Sequence, residues 1–224
     1  DQPRSRGLGD VYKRQDVQDP ELVRRMRPSI IHVLGDAEEC SRRLMGSGFV
    51  AADDYVITNA HVVAGTQTVR LDTKLGLKDA TVVYYNPDVD VAVLHSRDLG
   101  IDPLPWAQDP AQTGDDAMVM GFPHSGPFDA EMARVRDRIT ISGPDIYSHG
   151  HVERDSYTVR GSIQQGNSGG PLVNTAGEVL GVVFGASVDD AETGYALTAD
   201  EVNGQIGDLT QLTHPVDTGE CVAH

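Results

Sequence analysis

The feature that most constrains this chain is a succession of short apolar runs, rich in Val and broken by Gly, Asp and Pro. Runs of this length and composition favour β-strands over helices. The chain has 24 Gly and 12 Pro among its 224 residues, which agrees with frequent turns. We predict one set of six strands at 30–34, 46–51, 55–59, 67–71, 80–85 and 90–95. A second set of six is predicted at 116–122, 131–142, 156–161, 171–174, 178–185 and 193–198.

Residues 102–115 separate the two sets of strands. This stretch contains three prolines and several polar residues, a composition typical of a linker. The two sets, in 29–101 and 116–198, predict an all-β protein built from two six-stranded antiparallel β-barrels, because closing a sheet removes its exposed edges. A flat two-sheet sandwich is the alternative that the pattern leaves open.

The two ends of the chain carry different signals. Residues 1–15 are basic, unlike the rest, and resemble translated sequencing-adaptor read-through, so we exclude them as a non-native tail. The protein is then expected to continue upstream. The lead-in segment 16–28 predicts a short helix that Pro28 helps to end. The sequence TADE is a capping box, which predicts a short C-terminal helix at the start of 199–224.

Net charge excludes one large class of function. Asp and Glu outnumber Lys and Arg by 34 to 18, which gives a formal net charge of −16. Nucleic-acid binding depends on clustered basic residues, so no nucleic-acid partner is predicted. His149 and His151 lie two residues apart, but no third ligand is obvious, so neither a metal nor another cofactor is predicted.

The segment SIQQGNSGGPL, residues 162–172, surrounds one serine with glycines. It is either an ordinary tight turn or a loop in which backbone N–H groups and the Ser168 hydroxyl face one point. A serine hydroxyl is a weak nucleophile and needs a base within hydrogen-bond reach. The function of this segment therefore depends on whether the chain offers a base and an acid that orients it.

Two segments of the first half supply those groups. His61 follows an apolar strand, and Asp90 stands at the start of another. Asp88 is a rival acid, and strand alternation would turn Val89 to the face opposite Asp90. The order His61, Asp90, Ser168 is that of chymotrypsin-like proteases rather than that of subtilisin or the α/β-hydrolases.

The segments TNAHVV, DVDVAVL and GNSGGPL together resemble trypsin-fold serine proteases of the bacterial, HtrA-like type, over roughly residues 29–200. The resemblance implies two chymotrypsin-type barrels with a His61–Asp90–Ser168 triad in the cleft between them. It also implies an oxyanion hole formed by the amides of Gly166 and Ser168, where glycine permits unusual φ values and close approach. We therefore expect a serine endopeptidase acting on protein or peptide substrates.

Longer stretches are similar to the actinobacterial acid-resistance periplasmic serine protease (MarP-like) family. They include CSRRLMGSGFVAADDYVITNAHVVAG, RGSIQQGNSGGPLVN and GVVFGASVDDAETGYALTADEV. In that family a membrane anchor of several helices precedes a protease domain that faces the periplasm. The resemblance implies a periplasmic protease that acts in the bacterial envelope under acid or other stress and meets the membrane only through an upstream anchor. We further expect the protease domain to be monomeric.

The same resemblance bears on the two cysteines. Cys40 and Cys221 match no metal-ligand pattern, and the sequence alone leaves two free thiols and one disulfide equally open. The MarP-like family has a disulfide between a Cys shortly before the catalytic His and one near the C-terminus. The resemblance therefore implies a Cys40–Cys221 bridge and, with it, an oxidising compartment.

The family pattern also implies where the substrate binds. It places Ser162 at the base of the S1 pocket and the pocket walls near Phe184, Gly185, Ala186 and Gly194. Because Ser162 carries no charge, we do not expect a demand for Arg or Lys at P1. We expect a small-to-medium apolar P1 residue instead.

Two other functions remain open at this point. The chain could be an inactive protease fold that serves as a binding module, although all three triad residues are present. It could also be an HtrA-like quality-control protease. Such proteases carry a PDZ domain after the protease, whereas only a short tail follows Leu197, so we expect this alternative to be the weaker one if the C-terminus is genuine.

Overall fold

A computed structural model describes residues 19–223 of the chain. The predicted non-native tail 1–15 lies outside the described residues, as do 16–18 of the lead-in segment. Twelve strands, three α-helices and four short 3-10 helices make up the regular structure of the described part. The first six strands are β1 (Ile30–Ala37), β2 (Arg42–Ala52), β3 (Tyr55–Thr58), β4 (Thr68–Thr73), β5 (Gly76–Asn86) and β6 (Val91–His95).

The remaining strands follow an irregular crossing segment. They are β7 (Asp116–Gly121), β8 (Asp129–Pro144), β9 (His151–Arg160), β10 (Pro171–Asn174), β11 (Val179–Ala186) and β12 (Thr193–Thr198). The helices are α1 (Pro20–Met26), α2 (Ala60–Val63) and α3 (Ala199–Ile206). None of the helices formed by residues 19–223 is long and apolar enough to cross a membrane.

Each set of six strands forms a closed antiparallel barrel. The strand order is β1-β2-β3-β6-β5-β4 in barrel one and β10-β11-β12-β9-β8-β7 in barrel two. Pairing of β1 with β4, for example Val33 opposite Leu71, closes the first barrel. Pairing of β7 with β10, for example Val119 opposite Leu172, closes the second. The prediction of two six-stranded barrels is confirmed, and the flat sandwich is excluded.

The buried apolar residues form three clusters, one inside each barrel and one between the barrels. Strand β3 shows why its sequence is continuously apolar. Val56 points into barrel one, while Ile57 and Tyr55 belong to the cluster between the barrels. A strand that is buried on both faces reads as an unbroken apolar run instead of an alternating one.

The cluster between the barrels, which we call the seam core, fixes the relation of the two halves. From barrel one it takes Phe49 and Ile57, and from barrel two Met120 and Leu197, each fully buried. Helices α1 and α3 add apolar side chains to the same cluster. The Thr198 hydroxyl accepts a hydrogen bond from the Glu201 amide at 3.1 Å, which confirms the predicted start of the C-terminal helix.

The hairpin formed by β8 and β9 is longer than the apolar pattern predicts. Strand β9 begins at His151 instead of residue 156, and β8 continues to Pro144. The added residues are mostly exposed or half-buried, with Arg154 as a buried exception. Polar strand residues outside a core leave no apolar signal in the sequence.

A disulfide links Cys40 to Cys221 across 181 residues, as the resemblance implied. Cys40 ends the short connection between β1 and β2, and Cys221 lies in the tail after α3. The tail is also held by hydrogen bonds to barrel one, from Gly65 N–H to the Thr218 carbonyl at 2.9 Å and from Val216 N–H to the Val82 carbonyl at 2.9 Å. The C-terminal tail of the second half is thus fastened to the first half.

Reduction of the Cys40–Cys221 bond should destabilise the protein. The bond removes the entropy of a 181-residue loop from the unfolded chain, which the chain-entropy model values at roughly 5 kcal/mol. Urea unfolding with and without a reductant should give a free energy of unfolding that is lower by a few kcal/mol in the reduced protein. The free energy of unfolding of the variant Cys221→Ser should not change when the reductant is added. Equal stability of the oxidised and reduced wild type would contradict this expectation.

Candidate active site

His61 and Asp90 meet at the ends of two paired strands. Strands β3 and β6 run side by side, with Thr58 opposite Ala92. His61 stands in α2, the short helix that follows β3, and Asp90 immediately precedes β6. The register of one strand pair therefore brings the imidazole and the carboxylate to the same end of barrel one.

The Asp90 carboxylate accepts two hydrogen bonds from His61. His61 Nδ1 lies 2.6 Å from Oδ2, and the His61 backbone N–H donates to Oδ1 at 2.9 Å. The Asp90 side chain is buried, with 7% of its surface exposed, whereas 32% of the His61 side chain is exposed. Nδ1 is thereby held as the N–H donor, which leaves Nε2 free to accept a proton on the side of the cleft.

The environment of His61 shifts its pKa in two opposite directions. Burial lowers the pKa of the imidazole, because it penalises the charged form. The Asp90 carboxylate raises the pKa through its charge and through its hydrogen bond, and the net pKa lies above the ordinary value of 6.5. The imidazole is therefore a stronger base than a histidine in water.

Asp90 lies in a turn with a left-handed backbone, φ 71°, and not at the start of a strand. Strand alternation therefore does not govern where Val89 and Asp90 point, and Val89 is itself buried. Asp88 is exposed, while Asp90 contacts His61. Asn59 Nδ2 donates to the Asp90 carbonyl at 2.9 Å and supports the unusual backbone conformation.

The Ser168 loop of barrel two is bonded to barrel one through Ser47 of β2. The Ser47 N–H donates to the Ser168 carbonyl at 2.9 Å, and the Ser47 hydroxyl donates to the Gly166 carbonyl at 2.6 Å. The Ser47 carbonyl accepts from the Thr58 hydroxyl at 2.7 Å. Thr58 ends β3, three residues before His61, so the fully buried Ser47 connects the Ser168 loop to the strand that leads to His61.

Glycine is required where the Ser168 loop approaches barrel one. Gly169 has φ 89°, and a Cβ placed there would lie 2.5 Å from the Thr58 hydroxyl oxygen and 2.1 Å from the Ser47 carbonyl oxygen. Any larger residue would push the loop away from His61. The sequence left a functionless turn open, but such a turn does not need this close approach to the other barrel.

The peptide between Gln165 and Gly166 has a defined orientation. The His124 N–H donates to the Gln165 carbonyl at 2.6 Å, and Gly166 has φ 100°. Because C=O and N–H of a trans peptide point in opposite directions, the Gly166 N–H points away from His124. Within residues 19–223, neither the Gly166 nor the Ser168 N–H donates to a protein acceptor. These are two unpaired donors beside one hydroxyl.

Ser168 and the helix that carries His61 both lie next to Gly46, and no hydrogen bond joins the side chains of Ser168 and His61. A Cβ on Gly46 would meet the Ser168 carbonyl oxygen at 3.2 Å and Val62, the neighbour of His61, at 2.6 Å. Ser168 and α2 therefore flank the same glycine. Catalytic hydrogen bonds are often long before substrate binds, so a nucleophile and its base need not be bonded at rest.

The five residues predicted for the substrate pocket lie on the loop before Ser168 and on the β11–β12 hairpin. In this hairpin Ala186 pairs with Gly194 and Gly185 with Tyr195. Phe184 stacks on Tyr195 with ring centroids 6.2 Å apart. Ser162 accepts a hydrogen bond from the Gln164 side chain at 3.3 Å.

Ile163 was not predicted as part of this region. A Cβ on Gly194 would lie 2.0 Å from Ile163 Cδ1, so the Ile163 side chain packs directly on that glycine. Ser47 and Asn59 were also missed. Each stands inside or next to an apolar strand, and only the fold reveals which loop the side chain reaches. No signal in one sequence separates them from ordinary polar strand residues.

Comparison with known proteins agrees with this geometry. The trypsin-like peptidase domain family matches residues 46–182. The chain is 48% identical over 211 residues to the serine protease Rv3671c of Mycobacterium tuberculosis, covering 92% of this chain and 53% of that protein. It is 31% identical over 180 residues to the putative serine protease HhoB of Synechocystis, covering 76% of this chain and 42% of that protein. The chain thus spans about half the length of these relatives or less.

Solved structures give the same assignment. The active form of the M. tuberculosis Rv3671c protease superposes with a TM-score of 0.88 at 48% identity, covering 92% of both chains. The inactive form gives a TM-score of 0.76 at 45% identity, covering 88% of this chain and 97% of the other. The two barrels, the paired His61 and Asp90, and the matched sequence lead to one assignment. The chain belongs to the trypsin-like peptidase family, as a serine protease domain.

Proposed function

We propose that the chain is a serine endopeptidase in which His61, Asp90 and Ser168 form the catalytic triad. The observation that carries this proposal is the buried Asp90 carboxylate, which holds the His61 imidazole at 2.6 Å beside a glycine-rich serine loop from the other barrel. A functionless histidine needs no such partner, and a binding module needs no activated base. The arrangement supports hydrolysis over a passive role.

The proposed reaction follows from the roles assigned to the three side chains. Ser168 Oγ attacks the carbonyl carbon of the scissile peptide bond while His61 Nε2 removes its proton. The imidazolium is stabilised by Asp90 and then gives the proton to the departing amine, leaving an ester on Ser168. A water molecule, deprotonated by the same imidazole, hydrolyses the ester and restores the enzyme.

The amides of Gly166 and Ser168 are proposed as the oxyanion hole. Both N–H groups lack a protein acceptor among the described residues, so both are available to a developing negative charge. Donors that are oriented in advance stabilise the charge of the tetrahedral intermediate without reorganising during the reaction. The loss of one such donor typically costs about 10²–10³ in rate.

The substrate is proposed to be a protein or peptide with a small-to-medium apolar P1 residue. Ser162 at the proposed pocket base is uncharged, and Phe184, Gly185, Ala186 and Gly194 offer mostly apolar or backbone surface. Asp190, on the adjacent loop, accepts hydrogen bonds from Glu192 N–H and Thr193 within its own turn. That carboxylate is therefore occupied locally and is not our candidate for binding a basic P1 side chain.

We further propose that this domain works in the bacterial envelope under acid or other stress, tethered by an anchor upstream. The disulfide supports an oxidising compartment. The raised pKa of His61 sets a limit on the acid role, because acid reduces the fraction of neutral base. Activity in an acidified cell would then depend on a compartment that stays near neutral or on a low residual rate.

Removal of the nucleophile or the base should abolish activity. We expect Ser168→Ala and His61→Ala each to lower kcat for peptide hydrolysis by something like 10⁶, because triad members act as one unit. A fluorophosphonate probe should label the wild type at Ser168 and should not label Ser168→Ala. Ser29→Ala is a control, since it removes a serine hydroxyl elsewhere in the chain, which is buried and bonded to the Asp102 carbonyl at 2.6 Å. Full activity in Ser168→Ala would end the proposal.

The two aspartates of the 86–91 segment should behave differently. Asp90→Asn should keep the fold but lose roughly 10⁴ in kcat, because an amide favours the wrong imidazole tautomer. Asp88→Asn should be nearly silent, since its side chain is exposed. Peptide hydrolysis by the two purified variants decides the matter. An inactive Asp88→Asn beside an active Asp90→Asn would show that the acid is assigned to the wrong residue.

The pH profile should report the raised pKa of His61. Only the neutral imidazole accepts the Ser168 proton, so kcat/KM should rise with pH through an apparent pKa above 6.5. In Asp90→Asn the two raising effects are lost and burial remains, so the residual activity should titrate at a lower pH than in the wild type. A profile with the same midpoint in both proteins would contradict the proposed cause of the shift.

A further inference from the structure

Arg154, on β9 of barrel two, is a buried cation with no ion-pair partner. Its relative exposure is 5%. Among residues 19–223, no carboxylate lies within ion-pair distance of its guanidinium. Burial of an unpaired charge is costly, and proteins retain such groups where they serve a specific role.

The guanidinium donates only to backbone carbonyls, and two of them belong to the turn that carries Asp90. Arg154 Nε donates to the Val89 carbonyl at 3.3 Å, and Nη2 donates to the Asp88 carbonyl. Nη2 also donates to the Pro144 carbonyl of β8 at 3.0 Å. An arginine of barrel two therefore binds the two residues that immediately precede the proposed catalytic acid of barrel one.

The turn needs this support because its backbone is unusual. Asp90 adopts φ 71°, a left-handed conformation that is unfavourable for non-glycine residues and persists where the surroundings enforce it. From barrel one, Asn86 accepts the Asp90 N–H at 3.0 Å and Asn59 donates to the Asp90 carbonyl. Arg154 binds the Asp88 and Val89 carbonyls of the same turn, so the turn receives hydrogen bonds from both barrels.

The charges and rings around Arg154 suit this position. Its guanidinium lies over the Phe184 ring, 5.6 Å from the centroid, which orients the planar group. Burial lowers the pKa of Arg154, and the shift is opposed by the negative charges of Asp90, Asp145, Asp88 and Glu201. The cation thus sits in a field of carboxylates that are near but not bonded to it.

We propose that Arg154 is a positioning residue for the triad, which sets the Asp90 turn and through it the orientation of the His61 imidazole. The proposal rests on the assignment of Asp90 as the catalytic acid. It makes the geometry within barrel one depend on how barrel two docks against it. Residues of this kind act on the rate of the chemical step more than on substrate affinity, because they touch the reacting groups only through the acid.

The variant Arg154→Met tests the proposal, with Arg138→Met as the matched control. Arg138 stands on the neighbouring strand β8 and binds the carboxylates of Asp155 and Asp200, away from the Asp90 turn. We expect Arg154→Met to lower kcat by about 10² with little change in KM, since displacement of a catalytic group by about 1 Å costs that much. Arg138→Met should retain the wild-type kcat even if it lowers Tm.

Two further readouts separate positioning from a general loss of stability. In Arg154→Met the far-downfield proton NMR signal of the His61–Asp90 hydrogen bond should weaken or disappear, and the apparent pKa of kcat/KM should fall. If Arg154 acted only through its positive charge, its removal would raise that apparent pKa and leave the NMR signal unchanged. Arg154→Lys keeps the positive charge but lacks the planar guanidinium. We expect its kcat to be nearly as low as that of Arg154→Met.

Three results would overturn the proposal. They are a folded Arg154→Met protein with the kcat of Arg138→Met, an unchanged or raised apparent pKa with a wild-type NMR signal, and full rescue by Arg154→Lys. These results are distinct from failure of the proposed function. Full activity in Asp90→Asn would show that Asp90 is not the catalytic acid. An inactive Asp90→Asn together with a fully active Arg154→Met would reject only the positioning role of Arg154.

Discussion

The packing of one barrel against the other is the constraint on which the rest of this structure depends. The proposed base and acid belong to barrel one, whereas the proposed nucleophile and the two free amides belong to barrel two. Neither half holds a complete site. The seam core of fully buried side chains, including Phe49, Ile57, Met120 and Leu197, therefore stabilises the fold and sets the distance between the reacting groups at once.

Polar contacts across the seam give this packing its precision. Ser47 of barrel one binds the carbonyls of Gly166 and Ser168, and Arg154 of barrel two binds the turn before Asp90. Barrel one thus supports the Ser168 loop of barrel two, and barrel two supports the Asp90 turn of barrel one. The disulfide adds a covalent link between the tail that follows barrel two and the connection between β1 and β2. A small shift of one half would disturb both loops together.

Much of this architecture could be predicted from the sequence because it rests on apolar runs and on one specific motif. Strands buried on both faces, such as β3, leave an unbroken apolar signal, and the glycines around Ser168 mark a loop with unusual backbone angles. Three features could not be predicted. The left-handed Asp90 turn, the polar end of the β8–β9 hairpin and the burial of Arg154 depend on contacts between distant segments, and an arginine in the charged run HVERDS reads as solvent-exposed.

The proposed mechanism requires that Ser168 attack a carbonyl carbon whose oxygen is bound by the amides of Gly166 and Ser168. A crystal structure of the domain treated with a peptide aldehyde tests this claim most directly, because the aldehyde forms a stable mimic of the tetrahedral intermediate. We predict a covalent bond from Ser168 Oγ to the aldehyde carbon, with the resulting oxygen within hydrogen-bond distance of both amides. An aldehyde attached to another residue, or an oxygen directed away from the two N–H groups, would contradict the account.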